Sequence, residues 1–230
     1  MNQAFDMIAY QVSIWAVPVL VAITFHEAAH GFVAHILGDD TAWRLGRVSF
    51  NPTKHIDLFG TIMLPALLLL VRAPFLFGYA KPVPVNFGAL RNPRRDMILV
   101  AAAGPTMNLL LAAFAAAAFH LLSFFPASVG GWIAANLKNA LVLNVVLAVF
   151  NLLPIPPLDG GRIVTGVLPK TLAARYSRLE PFGFPLLIGL IFVLPVLGAQ
   201  LGINLDLISQ FISRSTHAIV NVILRMTANA

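Results

Sequence analysis

The sequence predicts an all-α polytopic membrane protein with about five transmembrane helices, a re-entrant or extended segment and a C-terminal amphipathic helix. Hydrophobic residues make up 59% of the 230 residues, charged residues make up only 10%, and the mean hydropathy is +0.85. A soluble domain carries about a quarter charged residues, so this chain lacks the polar surface that solubility requires. Several apolar runs also reach the ~20 residues that a helix needs to cross a bilayer.

Four apolar runs are long enough to span a membrane, namely residues 8–37, 97–125, 132–153 and 182–201. A fifth apolar run, residues 58–79, is broken by Pro65, Arg72 and Pro74. Because proline removes helical hydrogen bonds, this run is interpreted either as a short span or as a re-entrant hairpin. The sequence leaves the two alternatives open.

The last stretch of the chain, residues 203–228, predicts an amphipathic helix. Apolar residues such as Leu205, Ile208 and Ile219 recur at helical spacing, and polar residues such as Arg214 fall between them. We expect this helix to lie on the membrane interface or to pack on the bundle rather than to span the bilayer.

The net charge of +6 is explained by topology. Lys138 is the only basic residue in the connection around residues 123–138, and Asp6 is the only charge near the N-terminus. The positive-inside rule therefore predicts that the N-terminus lies outside and the three basic loops lie in the cytoplasm. On this account the basic residues lie beside a lipid bilayer, and no nucleic-acid partner is expected. The first of the three basic loops carries Arg44, Arg47 and Lys54, and the second carries Arg91, Arg94 and Arg95. The third carries Arg162, Lys170, Arg175 and Arg178.

The pentapeptide HEAAH at residues 26–30 lies inside the first apolar run. His26 and His30, four residues apart on a helix, share one face and can both ligate a zinc ion. Glu27 then lies beside the open coordination position, where it can take a proton from water. Ionisable groups inside a membrane are costly and are usually functional. The pattern indicates a zinc hydrolase whose active site lies within the membrane, since a divalent-metal transporter would leave Glu27 without a role.

A zinc site needs a third protein ligand, and the chain has no cysteine to supply one. The best candidate is Asp159, in the segment NLLPIPPLDGG at residues 151–161, where three prolines end a hydrophobic helix. The alternative is that the prolines only end the helix and Asp159 caps the next one; spacing alone supports both equally. Glu180 would be the third ligand in a membrane metalloprotease of a different type.

HEAAH together with NLLPIPPLDGG resembles the site-2 protease family (M50) of intramembrane zinc metalloproteases. That family pairs HExxH with a later N-x-x-P-x-x-x-L-D-G pattern, and the stretches GYAKPVPVN and AAGPTMN are similar to its compact bacterial branch. The resemblance implies that Asp159 is the third zinc ligand and Glu27 the catalytic base. The later pattern is matched at Asn151, Pro154, Leu158, Asp159 and Gly160.

The resemblance also implies the substrates and the location. Single-pass transmembrane proteins would be cleaved near the cytoplasmic side of a bacterial cytoplasmic membrane. Many family members carry a PDZ or CBS domain, but the polar linkers here reach only roughly twenty residues, so residues 1–230 are predicted to form a single membrane-embedded domain. The physiological substrate, the trigger of cleavage and the oligomeric state do not follow from the sequence.

Two further elements are candidates for the site. The Asn151 amide can hydrogen-bond the substrate backbone or a developing oxyanion, or it can make an interhelical hydrogen bond. Residues 78–86 are predicted to be extended, with Val83 and Val85 presenting a strand edge to an unwound substrate. The alternative for this segment is a loop that only connects helices.

Two other polar residues have less specific interpretations. His55, in NPTKHID, is expected to be a solvated loop histidine, although it can also line the entrance to the site or bond a metal ligand. Asn108 is expected to pack helices, because small residues precede it and allow close approach.

Overall fold

The computed structural model describes residues 3–63, 66–67, 70 and 78–228, and these residues contain helices and no β-strand. The prediction of an all-α protein is confirmed. The helices are α1 Gln3–Ile36, α2 Thr41–Arg44, α3 Pro93–Ala118, α4 Ala127–Asn151, α5 Asp159–Val167, α6 Lys170–Ser177, α7 Glu180–Ile188, α8 Leu194–Gln200 and α9 Leu207–Met226.

Four helical stretches within the described part of the chain are long and apolar enough to cross a membrane. The second comprises α3 and a 3₁₀ turn at Phe119–Phe124, and the fourth comprises α7 and α8 joined by a π-helical turn at Gly189–Val193. They correspond to the four predicted spans that the sequence leaves unbroken, which makes this a multi-pass membrane protein. Their bounds are Phe5–Ile36, Pro93–Phe124, Ala127–Asn151 and Glu180–Gln200.

The fifth apolar run, residues 58–79, lies partly outside the described residues, but its two ends are described and are in contact. The Tyr79 N–H donates to the Gly60 carbonyl at 3.0 Å, and the Thr61 hydroxyl donates to the Tyr79 carbonyl at 2.8 Å. A single crossing would separate the ends by ~30 Å. The two described ends of this run therefore lie together rather than a membrane thickness apart.

The core of the bundle is formed by α1, α3 and α4, which pack pairwise against one another. The faces of α3 that meet its neighbours carry small residues, including Ala101, Gly104 and Ala112, all buried. Helices in a bilayer associate through close van der Waals packing rather than through the hydrophobic effect, and small residues permit that approach. The polar residues at the centre of the bundle are therefore held in a tightly packed environment.

The C-terminal helix α9 packs on this bundle. Ile223, 8% exposed, lies in one apolar cluster with Ala112 of α3 and Val145 of α4. The opposite side of α9 exposes polar residues such as Arg214 and Asn221. The predicted amphipathic helix is confirmed, and of its two expected locations the structure shows packing on the bundle.

The segment at residues 78–86 is not helical, as predicted, and it contains no β-strand, so its extended character stays a prediction. The Lys81 N–H donates to the His55 carbonyl at 2.9 Å, and the Asn86 N–H donates to the Asp39 carboxylate at 2.6 Å. Because Lys81 and Asn86 are both bonded to the connection that follows α1, the segment lies against that connection.

Candidate active site

Two histidines of α1 and one aspartate of α5 converge in the interior of the bundle. The Nε2 atoms of His26 and His30 are 3.1 Å apart, and the Asp159 Oδ2 atom lies 3.4 Å from the first and 3.3 Å from the second. Both histidines are buried, each with 8% of its surface exposed. Residues far apart in the sequence thus present three ligand atoms to one point.

The spacing of these three atoms fits a tetrahedral metal ion. Nitrogen and oxygen ligands at 2.0–2.2 Å from a tetrahedral zinc ion lie about 3.3–3.5 Å from each other. The distances between the ligand atoms of His26, His30 and Asp159 are 3.1, 3.3 and 3.4 Å. The Asp159 Oδ2 atom is also buried without a hydrogen-bond donor in the described part of the chain. A buried carboxylate oxygen facing two imidazole nitrogens is stabilised by a shared cation, so the donor set fits zinc.

The far nitrogen of each imidazole has an acceptor. The His30 Nδ1 atom lies 2.7 Å from the Val100 carbonyl, and the His26 Nδ1 atom lies 2.6 Å from the Asn108 Oδ1 atom. Because these oxygens accept hydrogen bonds, Nδ1 carries the proton in both rings and Nε2 keeps its lone pair for the metal.

Asn108 is a site residue that the sequence interpretation missed, since it was expected only to pack helices. Its side chain is completely buried and contacts a candidate metal ligand. The signal that can identify such a residue is an amide in the middle of an apolar span, because a buried amide in a membrane needs polar partners.

Asp159 reaches the histidines because the chain folds back sharply between α4 and α5. Gly160 and Gly161 allow this, since a Cβ atom on Gly161 would lie 2.7 Å from the Pro156 nitrogen and one on Gly160 would overlap the Leu152 carbonyl. The Tyr176 hydroxyl of α6 donates to the Pro154 carbonyl at 2.8 Å and thereby holds the proline segment. Partial burial raises the pKa of the Tyr176 hydroxyl.

The alternative role for Asp159, capping α5, is not what the structure shows. The N-cap residue of α5 is Leu158, and no side chain forms a capping hydrogen bond there. The carboxylate of Asp159 points to the histidines instead. The other candidate ligand, Glu180, is exposed at the start of α7 and lies outside the group of three, so that interpretation is wrong.

Gly104 of α3 lies directly against the two imidazoles. A Cβ atom there would lie 2.5 Å from His26 Cε1 and 2.7 Å from His26 Nε2, and it would also overlap His30 Nε2. The absence of a side chain on Gly104 therefore provides the space that both imidazoles occupy. Sequence reasoning treated this glycine only as a point of close helix approach.

Glu27 is half-buried, and its carboxylate is held by the segment at residues 78–86. The Val83 N–H donates to the Glu27 Oε2 atom at 2.7 Å. This segment therefore lies close to the site, as predicted. The Val83 N–H is engaged by Glu27, however, and the side chain of Val85 packs on an apolar cluster that includes Val100. Contact of either valine with a substrate stays a prediction.

Two other predicted residues are placed as follows. The Asn151 side-chain amide donates to the Leu147 carbonyl of its own helix at 3.0 Å, rather than across to another helix. The expectation that His55 is solvated is wrong: it is 2% exposed, and its Nε2 atom lies 2.8 Å from the Ser49 carbonyl. His55 thereby ties together the loop that follows α2.

The fold and the site define a class of protein, a membrane-embedded zinc metallopeptidase, and comparison with known proteins agrees. Residues 126–194 match the model of peptidase family M50. The chain is 38% identical over 188 residues to "Putative zinc metalloprotease YwhC" of Bacillus subtilis. This alignment covers 78% of this chain and 80% of that relative. It is 36% identical over 141 residues to "Putative zinc metalloprotease Rip2" of Mycobacterium tuberculosis, which covers 61% of this chain and 52% of that relative. No solved structure matches the chain.

The chain belongs to peptidase family M50, the site-2 proteases. It is an intramembrane zinc metallopeptidase, which confirms the resemblance carried by HEAAH and NLLPIPPLDGG. The family match at residues 126–194 includes the candidate ligand Asp159 but not the two histidines of α1. The convergence of the two regions in space is therefore a separate observation.

Proposed function

We propose that this protease cleaves transmembrane segments of single-pass membrane proteins, close to the cytoplasmic face of a bacterial cytoplasmic membrane. The observation that carries the proposal is the convergence of His26, His30 and Asp159 to within 3.1–3.4 Å inside an apolar helix bundle. A site at that depth meets peptide bonds that lie within the bilayer.

The depth of the site follows from helix geometry. His26 and His30 precede the last residue of α1, Ile36, by ten and six residues, which places them about 15 and 9 Å along the helix from its end. The loop that follows carries Arg44, Arg47 and Lys54, so the positive-inside rule supports a cytoplasmic position for that end.

The proposed chemistry is hydrolysis with Glu27 as the general base. His26, His30 and Asp159 would hold the zinc ion, which would supply Lewis acidity and lower the pKa of water. Glu27 takes a proton from that water and later returns it to the leaving amine. The Val83 N–H fixes one oxygen of the Glu27 carboxylate, which leaves the other oxygen to carry the proton.

The substrate must be extended where it is cut, because the carbonyls of an intact helix are hydrogen-bonded and shielded. We assign the alignment of the unwound strand to residues 78–86, which run past Glu27. Successive residues of an extended chain point their backbone groups to opposite sides, so Val83 and Val85 share the side that faces Glu27. The substrate would pair with their remaining backbone groups.

We assign contact with the developing oxyanion to Asn151, which ends α4 eight residues before Asp159. Its amide donates to the Leu147 carbonyl in this structure, so this role requires a rotation of the side chain. A preorganised amide donor at an oxyanion typically contributes on the order of 100-fold or more in rate.

The chain contains two glutamates, which provide a matched pair of variants. In proteoliposomes with a single-pass substrate, Glu27→Gln should retain zinc and lose several orders of magnitude in cleavage rate. Glu180→Gln, at an exposed position, should leave both properties unchanged. Mass spectrometry of the products should place the cut within the transmembrane segment, near its cytoplasmic end. Cuts only in soluble loops, or full activity of Glu27→Gln, would refute the proposal.

A further inference from the structure

We propose that Asn108 and Asn144 are positioning residues that fix the tautomer and ring orientation of His26. A chain of amide hydrogen bonds, which we call the amide relay, begins at the backbone of α4 and ends at the Nδ1 atom of His26. The inference rests on the proposed metal site, and it assigns a function to two buried asparagines that do not contact the metal position themselves.

The amide relay is continuous and buried. The Asn144 amide donates to the Ala140 carbonyl at 2.8 Å, and the Asn108 amide donates to the Asn144 Oδ1 atom at 2.8 Å. Asn108 also donates to the Ala22 carbonyl at 3.3 Å, and its Oδ1 atom lies 2.6 Å from His26 Nδ1. Asn108 is 0% exposed and Asn144 is 1% exposed, so water does not substitute for these partners.

The direction of the amide relay is set by backbone carbonyls, which can only accept hydrogen bonds. The Ala140 carbonyl requires the nitrogen end of Asn144, which turns the Asn144 oxygen toward Asn108. That oxygen and the Ala22 carbonyl both require the nitrogen end of Asn108, which turns its oxygen toward His26. If the Asn108 amide were flipped, its oxygen would face the Asn144 oxygen and the Ala22 carbonyl, and all three atoms are acceptors. The Asn108 oxygen therefore faces His26, so His26 must carry its proton on Nδ1 and offer Nε2 to the metal.

The two histidines differ in how they are fixed. The acceptor for His30 is the Val100 carbonyl, a backbone atom that no substitution removes. The acceptor for His26 depends on side chains from α3 and α4. The amide relay thus ties one metal ligand of α1 to the packing of the two neighbouring helices, and its loss should weaken metal binding through His26 alone.

The test compares zinc affinity among variants of the purified full-length chain, measured by competition with a chromophoric chelator. Asn108→Leu removes the acceptor and should weaken zinc binding about 10–100-fold, as is usual for groups that orient a metal-bound histidine. Asn108→Gln keeps an acceptor for the Nδ1 proton and a donor for the Asn144 and Ala22 oxygens, and it should bind zinc more tightly than Asn108→Leu. Asn144→Leu, which leaves the Ala22 contact intact, should cause a smaller loss.

A matched control is available on α4. The Asn139 amide donates to the Ile14 carbonyl of α1 at 3.0 Å, so Asn139→Leu also removes an interhelical amide hydrogen bond. Ile14 precedes His26 by twelve residues, or about 18 Å along the helix. Asn139→Leu should keep wild-type zinc affinity.

A spectroscopic measurement separates positioning from general destabilisation. With Co²⁺ in place of zinc, Asn108→Leu should alter the visible absorption bands that report ligand geometry, while Asn139→Leu should resemble the wild type. The inference is overturned if Asn108→Leu keeps wild-type affinity and spectrum, if Asn108→Gln is as weak as Asn108→Leu, or if Asn139→Leu is equally impaired. If instead His26→Ala retains wild-type zinc affinity, the metal site itself is wrong.

Discussion

Replacing Gly104 by alanine tests whether α3 provides the space that the metal ligands need. The added Cβ atom would lie 2.5 Å from His26 Cε1, whereas ordinary van der Waals contacts begin at 3.4 Å. The imidazole or the helix must therefore move by about 0.9 Å, several times the ~0.2 Å by which metal–ligand distances vary in functional sites. We expect zinc affinity to fall about 100-fold or more, because two ligands are displaced together.

The helix itself should survive this change. Alanine has a higher helix propensity than glycine by about 1 kcal/mol, so Gly104→Ala should not lower the stability of α3 through its backbone. The matched control is Gly130→Ala in α4, where a Cβ atom meets nothing within 4 Å. Zinc affinity is measured by chelator competition, and folding is followed by circular dichroism during thermal unfolding.

Wild-type zinc affinity in Gly104→Ala would refute the placement of the site against α3. A loss of zinc accompanied by an unfolded protein would show that the bundle, rather than the ligand space, was affected. Only a folded Gly104→Ala protein with weak zinc binding, alongside a normal Gly130→Ala protein, supports the reasoning.

Three further predictions concern the ligand set, the base and the topology. Asp159→Ala should lose its bound zinc, measured by atomic absorption, and its cleavage activity, while the fold survives. Stoichiometric zinc in that variant would exclude Asp159 as the third ligand. Val83→Pro removes the N–H that holds the base and should lower the cleavage rate about 10–100-fold with zinc retained, since a hydrogen bond to a charged group contributes about 1.5–3 kcal/mol. Val83→Ala, which keeps the backbone N–H, is the control, and equal rates for the two variants would contradict the assignment. Cysteines introduced at Ser49 and Thr171 should react with impermeant reagents only from the cytoplasmic side, because their loops are basic, and labelling from outside would invert the topology.

The sequence determined the membrane class, the four long spans and the pair of histidines. These features depend on local properties, namely the length of an apolar run and the geometry of one helical turn. The same local properties do not show whether the broken run at residues 58–79 is a span or a re-entrant hairpin, because proline can interrupt either structure. Only the contact between Gly60 and Tyr79 shows that its ends lie together.

The third ligand needed tertiary structure for a different reason. Asp159 is 129 residues beyond His30, and a carboxylate at the start of a helix is equally suited to capping. Spacing cannot distinguish the two roles. The packing of α5 against α3 favours the ligand role, because it brings the carboxylate to within 3.4 Å of both imidazoles and leaves Leu158 at the cap.

The residues that surround the ligands were decided by tertiary structure alone. The apolar residues of α3 and α4 are not gathered on one face, so no periodicity marks the face on which Asn108, Gly104 and Asn144 meet α1. The bond from Val83 to Glu27 uses a backbone N–H, which every residue except proline possesses and which leaves no mark in the sequence. A helical repeat identifies ligands that share one helix, whereas the groups that orient them come from other helices, and only the packing of the bundle brings them together.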